Sequence, residues 1–69
     1  MAESFTVQRE GKTYECSRTV TGSRSLRQTV RVAGFGSKPD PAEYGNDGHP
    51  IESMTMTARL IAHELIQGI

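Results

Sequence analysis

Tryptophan is absent, cysteine occurs once, at Cys16, and the aromatic side chains are confined to Phe5, Phe35, Tyr14 and Tyr44. One thiol excludes an intrachain disulfide and a cysteine-rich zinc site. No stretch approaches the ~18 continuous apolar residues of a membrane span, so no membrane contact is expected. The opening MAESFTVQREGK lacks a basic region followed by an apolar run, so no secretory signal is expected. A single thiol without an export signal points to a reducing cytoplasm. An excess of either charge is also lacking, with eight basic and eight acidic side chains in the chain.

What is present is one small domain, residues 1–69, with 35% hydrophobic residues. A domain of this size buries only about 60% of the surface its unfolded chain exposes, so its core is thin and its stability marginal. Disulfides, metals or a partner subunit commonly compensate. With the first excluded and no metal motif in view, a homodimer is the expected device.

The balanced charge is unevenly placed. Residues 1–38 carry seven basic side chains against three acidic ones, and residues 39–69 carry one against five. Such asymmetry is a hint of nucleic-acid or membrane contact. The alternative weighed against it is that a basic sheet and an acidic loop and helix neutralise one another, within a monomer or across a dimer.

SFTVQREGKTYEC reads as two strands around a two-residue turn at Glu10-Gly11, pairing Arg9 with Lys12, Val7 with Tyr14 and Phe5 with Cys16. Opposed residues share a face, so Phe5, Val7, Tyr14 and Cys16 form one apolar surface. A second hairpin turns in TGSRS. Placing Val20 opposite Leu26 sets Cys16 opposite Val30, Tyr14 opposite Val32 and Glu15 opposite Arg31, a charge pair of about 0.2–1 kcal/mol. Arg27 and Arg31 then lie on the outer face with Ser17, Thr19 and Thr29, and Arg24 lies in the turn. Parity puts Arg18 on the apolar face opposite Gln28, unless a bulge turns it outward or its head reaches water at the sheet's end.

GFGSKPDPAEYGNDGHP, dense in glycine and proline, reads as an irregular loop over 34–49. IESMTMTARLIAHELIQ reads as a helix over about 50–67, with Pro50 at its start and Gly68 at its stop. Ile51, Met54, Ala58, Ile61, Ala62 and Leu65 gather within about 100°, a core-facing stripe. Met56 and Leu60 fall on the opposite side with His63 and Gln67. The expected fold class is therefore α+β: a three-stranded antiparallel β-meander (strands about 4–9, 13–21 and 26–33) with one C-terminal α-helix packed on one face.

Catalytic and metal motifs fail one by one. His63-Glu64-Leu65 lacks the second histidine four residues on, where Gln67 stands. His49, His63, Cys16 and Asp47 have no ligand spacing, and Asp40, Glu43 and Asp47 do not form the alternating acidic pattern of a calcium loop. Gly34-Phe35-Gly36-Ser37-Lys38 lacks phosphate-loop spacing. Cys16 falls on the core face, where a small apolar role is favoured over a nucleophile. No enzyme, metal or cofactor is expected.

Two functions remain. The first is a non-enzymatic protein–protein interaction or regulatory module with an unidentified protein partner, self-associating through a sheet edge or the helix. Its candidate contact residues are Met56, Leu60 and His63. Strands 1 and 3 would both offer open edges, and joining two edges across a dimer would give a continuous six-stranded sheet. The second is nucleic-acid binding through Arg24, Arg27 and Arg31. Strand pairs fit the major groove, and the element order resembles that of the sheet-reading DNA-binding domains of some integrases and plant transcription factors. That likeness is one of element order and covers no motif. A third, narrower expectation is a small anion pocket at Arg18 and Gln28.

Overall fold

Glu10 and Gly11 both adopt positive φ, +52° and +79°, and reverse the chain in two residues. That is the backbone of a hairpin turn whose twist matches the flanking strands. The computed structural model of the chain describes residues 2–45 and 52–68. Around this turn β1 (Ala2–Arg9) pairs antiparallel with β2 (Lys12–Thr21), with Arg9 opposite Lys12, Val7 opposite Tyr14 and Phe5 opposite Cys16, the expected register. Pairing continues through Glu3 opposite Arg18 to Ala2 opposite Thr19.

β3 (Ser25–Val32) joins β2 in a register two residues away from the expected one. Cys16 faces Val32, Arg18 faces Val30, Val20 faces Gln28, and Arg31 lies opposite Ser17 rather than Glu15. The Glu15 carbonyl instead accepts the Ala33 N–H at 3.0 Å. Gly22, at φ +102°, stands in the connection, where a Cβ would collide with the Ser25 carbonyl oxygen. In this register Leu26 is buried, 1% exposed, against Val20, Met54 and Tyr44. The forfeited Glu15–Arg31 pair is a surface pair of about 0–1 kcal/mol, too little to set the register. A slip of two preserves parity, so each residue stays on its expected face.

The segment expected to be irregular contributes two further strands. After a turn in which the Phe35 N–H bonds the Val32 carbonyl at 2.9 Å, β4 (Gly36–Pro39) pairs with β3. β5 (Tyr44–Gly45) pairs with the start of β3. The sheet order is β1-β2-β3-β4, with β5 beside β3. Gly34 and Gly36 therefore serve a reversal inside the sheet; their density reads as loop because glycine marks any sharp turn. Phe35 lies edge-on to Tyr14, ring centroids 5.6 Å apart. Residues 46–49 and the expected helix start at Pro50 and Ile51 lie outside the described residues.

α1 (Glu52–Gln67) crosses the inner face and stops where expected, the Gly68 N–H bonding the Glu64 and Leu65 carbonyls at 3.1 and 3.2 Å. Met54, Ala58, Ile61 and Ala62 are buried, as the stripe requires, and Leu65 packs at its margin. The core beneath is split. One cluster joins Val7, Cys16, Val30 and Val32 to Ala58, Ile61 and Ala62; the other joins Val20 and Leu26 to Met54. Along the strands, Arg18 and Gln28 stand between them.

Gln28 organises that divide. Its Nε2 donates to Asp40 Oδ2 at 2.9 Å and to the Met54 carbonyl at 3.0 Å. Asp40, 4% exposed, also accepts from the Tyr44 hydroxyl at 2.5 Å and the Ala42 N–H at 2.9 Å. Burial works to raise the Asp40 pKa, but the bonds from Tyr44, Gln28 and Ala42 together outweigh it and hold the carboxyl below its ordinary value. The same burial, with the Asp40 charge, raises the Tyr44 pKa and keeps its hydroxyl a donor.

Two outcomes follow from these contacts. A non-glycine residue in the left-handed region costs about 1–2 kcal/mol. Glu10→Asn, the residue best suited to the first position of this turn, is expected to stabilise the domain by about 0.5–1 kcal/mol. Thermal unfolding reads this as a rise of a few degrees, and an unchanged midpoint would refute the strain. The lowered Asp40 pKa contributes stability that is complete above the unfolded carboxyl value near 3.8 and is lost as pH falls through the folded value. Asp40→Asn should cost about 1–3 kcal/mol at pH 7 and flatten the stability profile below pH ~4. An acid-unfolding profile of the same shape in both proteins would contradict this.

Candidate functional site

Three surfaces and one cavity carry the candidate residues. The first surface is the edge of β1. Because Arg9 and Lys12 close a two-residue hairpin, the odd-numbered residues of β1 bond to β2, and Ser4, Thr6 and Gln8 turn their N–H and C=O groups away from it. Arg59 confirms the direction, its Nη1 donating to the Thr6 carbonyl at 3.4 Å. The far edge of β3 is not open as expected, since β4 and β5 cover it. The extra strands arise from the chain doubling back at Gly34 and from Tyr44 returning to Asp40. Among the described residues β1 is thus the long unpaired edge, and β4, four residues ending in proline, and the two-residue β5 are the short ones.

The second surface is the back of α1, where Met56 and Leu60 are 62% and 63% exposed. His63 lies on the same helix face but is half-buried, and its Nδ1 is enclosed without a hydrogen-bond partner.

The third is the outer face of the sheet. Arg24, Arg27 and Arg31 are all exposed, and the ion pairs among the described residues, Arg18–Glu3 and Lys38–Glu64, leave them out. Ser17 lies opposite Arg31, Thr21 opposite Arg27, and Thr19 opposite Thr29. Arg31 borders an open concavity of about 710 Å³ together with Ser4, Thr6, Glu15 and Ser17.

Arg18 and Gln28 both lie on the core face, 7% and 2% exposed, without a bulge to turn Arg18 outward. Each has its own partners. Gln28 is committed to Asp40 and the Met54 carbonyl, whereas Arg18 donates from Nε and Nη2 to Glu3 Oε2 at 3.1 and 2.7 Å. Arg18 Nη1 is buried without a partner. Arg18 borders a cavity of about 240 Å³ between the β1 edge and α1, shared with Glu3, Ser4, Phe5, Thr55, Ala58 and Arg59. Gln28 does not line it. Glu3 and Arg59 are absent from the sequence-based candidates. The pairing of Phe5 with Cys16, extended by two residues, already sets Glu3 against Arg18, and that was the available signal.

Cys16 is buried, and burial raises its pKa, opposed by the Val7 backbone and the Arg59 charge. Its thiol points to the Tyr14 carbonyl at 3.6 Å. Such a thiol is held protonated and packs as an apolar group. Among the described residues no three His, Cys, Asp or Glu side chains converge to hold a metal ion, and no helix is long and apolar enough to cross a membrane. His49 and Asp47 lie outside the described residues. No protein-family model, curated protein or solved structure matches this chain.

Proposed function

We propose that this chain is a non-enzymatic protein-interaction module of a regulatory kind, which accepts a partner strand on β1 and pairs with a second copy of itself through the back of α1. The observation that carries the reading is the β1 edge. It runs for eight residues without proline, and no strand covers it among the described residues. Uncovered backbone of this length is a template for an extended segment of another chain. Self-association rests on two features. The described core amounts to ten buried apolar side chains, three of them alanine or cysteine, and Met56 and Leu60 are spent outside it. A reducing cytoplasm suits a chain whose one thiol is buried and protonated.

A second reading, nucleic-acid binding, is favoured by one specific observation: Arg27 and Arg31 share the outer side of the sheet, with Arg24 exposed in the adjoining turn, and none of the three has an ion-pair partner among the described residues. Their guanidinium groups and the flanking hydroxyls are of the type that contacts phosphates. Of the described acidic side chains, Glu52 and Glu64 lie on α1, Asp40 is buried, Glu3 pairs with Arg18 and Glu10 sits in the first turn, whereas Glu15 borders the same concavity as Arg31.

Light scattering at about 100 μM is expected to give a dimer, in the micromolar affinity range. The double substitution Met56→Asp with Leu60→Asp should return the monomer mass with an unchanged circular-dichroism spectrum. A monomeric parent removes the self-association part, and an unchanged dimer in the variant moves the interface off α1. For the second reading, random-sequence duplex DNA is the probe. Three phosphate contacts predict roughly a 40-fold loss of affinity between 50 and 200 mM salt. Arg27→Ala with Arg31→Ala should lower the salt slope by about two. Absence of binding at 50 mM salt would eliminate nucleic acid.

A further inference from the structure

The cavity between the β1 edge and α1 holds an unbalanced set of charges. Two guanidinium groups, those of Arg18 and Arg59, border it, against the single carboxylate of Glu3. Arg18 is 93% removed from solvent, since only 7% of its surface is exposed, and it satisfies Glu3 through Nε and Nη2 only. Its Nη1 is left enclosed and unpaired. A buried guanidinium with an orphaned donor is costly unless a further acceptor is supplied. Arg59 is exposed and, among the described residues, is held by the 3.4 Å contact to the Thr6 carbonyl, a group that an incoming strand would itself engage.

Strand addition at β1 would therefore release Arg59 at the same moment as it brings foreign side chains to the mouth of the cavity. In an added strand every second side chain points to the helix side of the sheet, where Glu3, Arg18 and Arg59 are. The charge count there asks for one more carboxylate. From this we infer that the Arg18–Arg59 cavity is a specificity pocket for an acidic side chain, and that the strand accepted by β1 is an acidic peptide. This rests on the docking role proposed for β1 and names its partner's chemistry. Arg59 donates to the incoming carboxylate after leaving Thr6, and the buried Arg18 supplies the fixed positive charge behind it. Thr55 borders the same space and adds a hydroxyl donor. A second copy of this chain meets the demand poorly. Pairing β1 with itself about Thr6 would set the cation Arg9 of one copy against Glu3 of the other, adding positive charge where negative charge is wanted.

The probe is a set of seven-residue threonine/valine peptides bearing one glutamate at each position in turn, with glutamine counterparts. Binding is followed by amide chemical shifts of the protein. One glutamate position should bind about tenfold more tightly than its glutamine counterpart, with shifts at Ser4, Thr6 and Gln8. Arg59→Gln, an exposed change that leaves the fold intact, should erase the glutamate preference while keeping residual binding. Arg18→Met should do the same, and a thermal melt checks its folding. Peptides that shift the β1 amides with no glutamate preference overturn the acidic pocket and leave the docking edge standing. Peptides that shift no β1 amide overturn both.

Discussion

Asp40 is the contact on which the arrangement depends. It is a carboxylate brought out of water, and it survives there because three donors converge on it: a glutamine from the third strand, a tyrosine hydroxyl and a main-chain N–H. A buried charge without such partners would cost several kcal/mol. Through it the chain between β4 and β5 is drawn back over the end of β3, and Gln28 carries the link on to the first turn of α1 at the Met54 carbonyl. Helix, sheet and connecting segment are thus tied at one point by polar bonds, in a domain whose apolar clusters are small.

The polar pair Arg18 and Gln28 divides those clusters, and its two members serve different partners. Gln28 donates to Asp40 and to a helix carbonyl, and its Oε1 is buried unpaired. Arg18 reaches across to Glu3 on β1 and leaves a nitrogen unpaired. A fold that holds an arginine 93% buried while using only part of its donor capacity keeps positive charge next to an open strand edge. The edge and the charge lie together, and the proposed recognition of another chain rests on that juxtaposition.

Much of this was legible locally. The first hairpin, its register and its turn follow from alternating Phe5, Val7, Tyr14 and Cys16 around Glu10-Gly11. The helix, its buried stripe and its Gly68 stop follow from 3.6-residue periodicity. The outer placement of Arg27 and Arg31, and the inner placement of Arg18 and Gln28, follow from parity. The candidate cavity was legible only in part: Arg18 was marked, but the side chains that share its space, Glu3 and Arg59, come from opposite ends of the chain. Asp40 looked like any polar residue in a proline-rich loop, because its three partners meet only after the sheet is assembled.

What the sequence by itself determined is which strand and helix residues face inward, where the first hairpin turns and where the helix stops, since the periods of two and 3.6 and the need for positive φ act within a few residues. What only the tertiary structure decided is the second hairpin's register, the strands formed from residues 36–45, and the partners of the buried polar groups. The physical reason is the same in each case. A shift of two residues leaves every side chain on its face, so local pattern cannot choose between registers; contacts from segments distant along the chain, β4 and β5 beside β3 and Met54 and Tyr44 on Leu26, form only in the assembled fold.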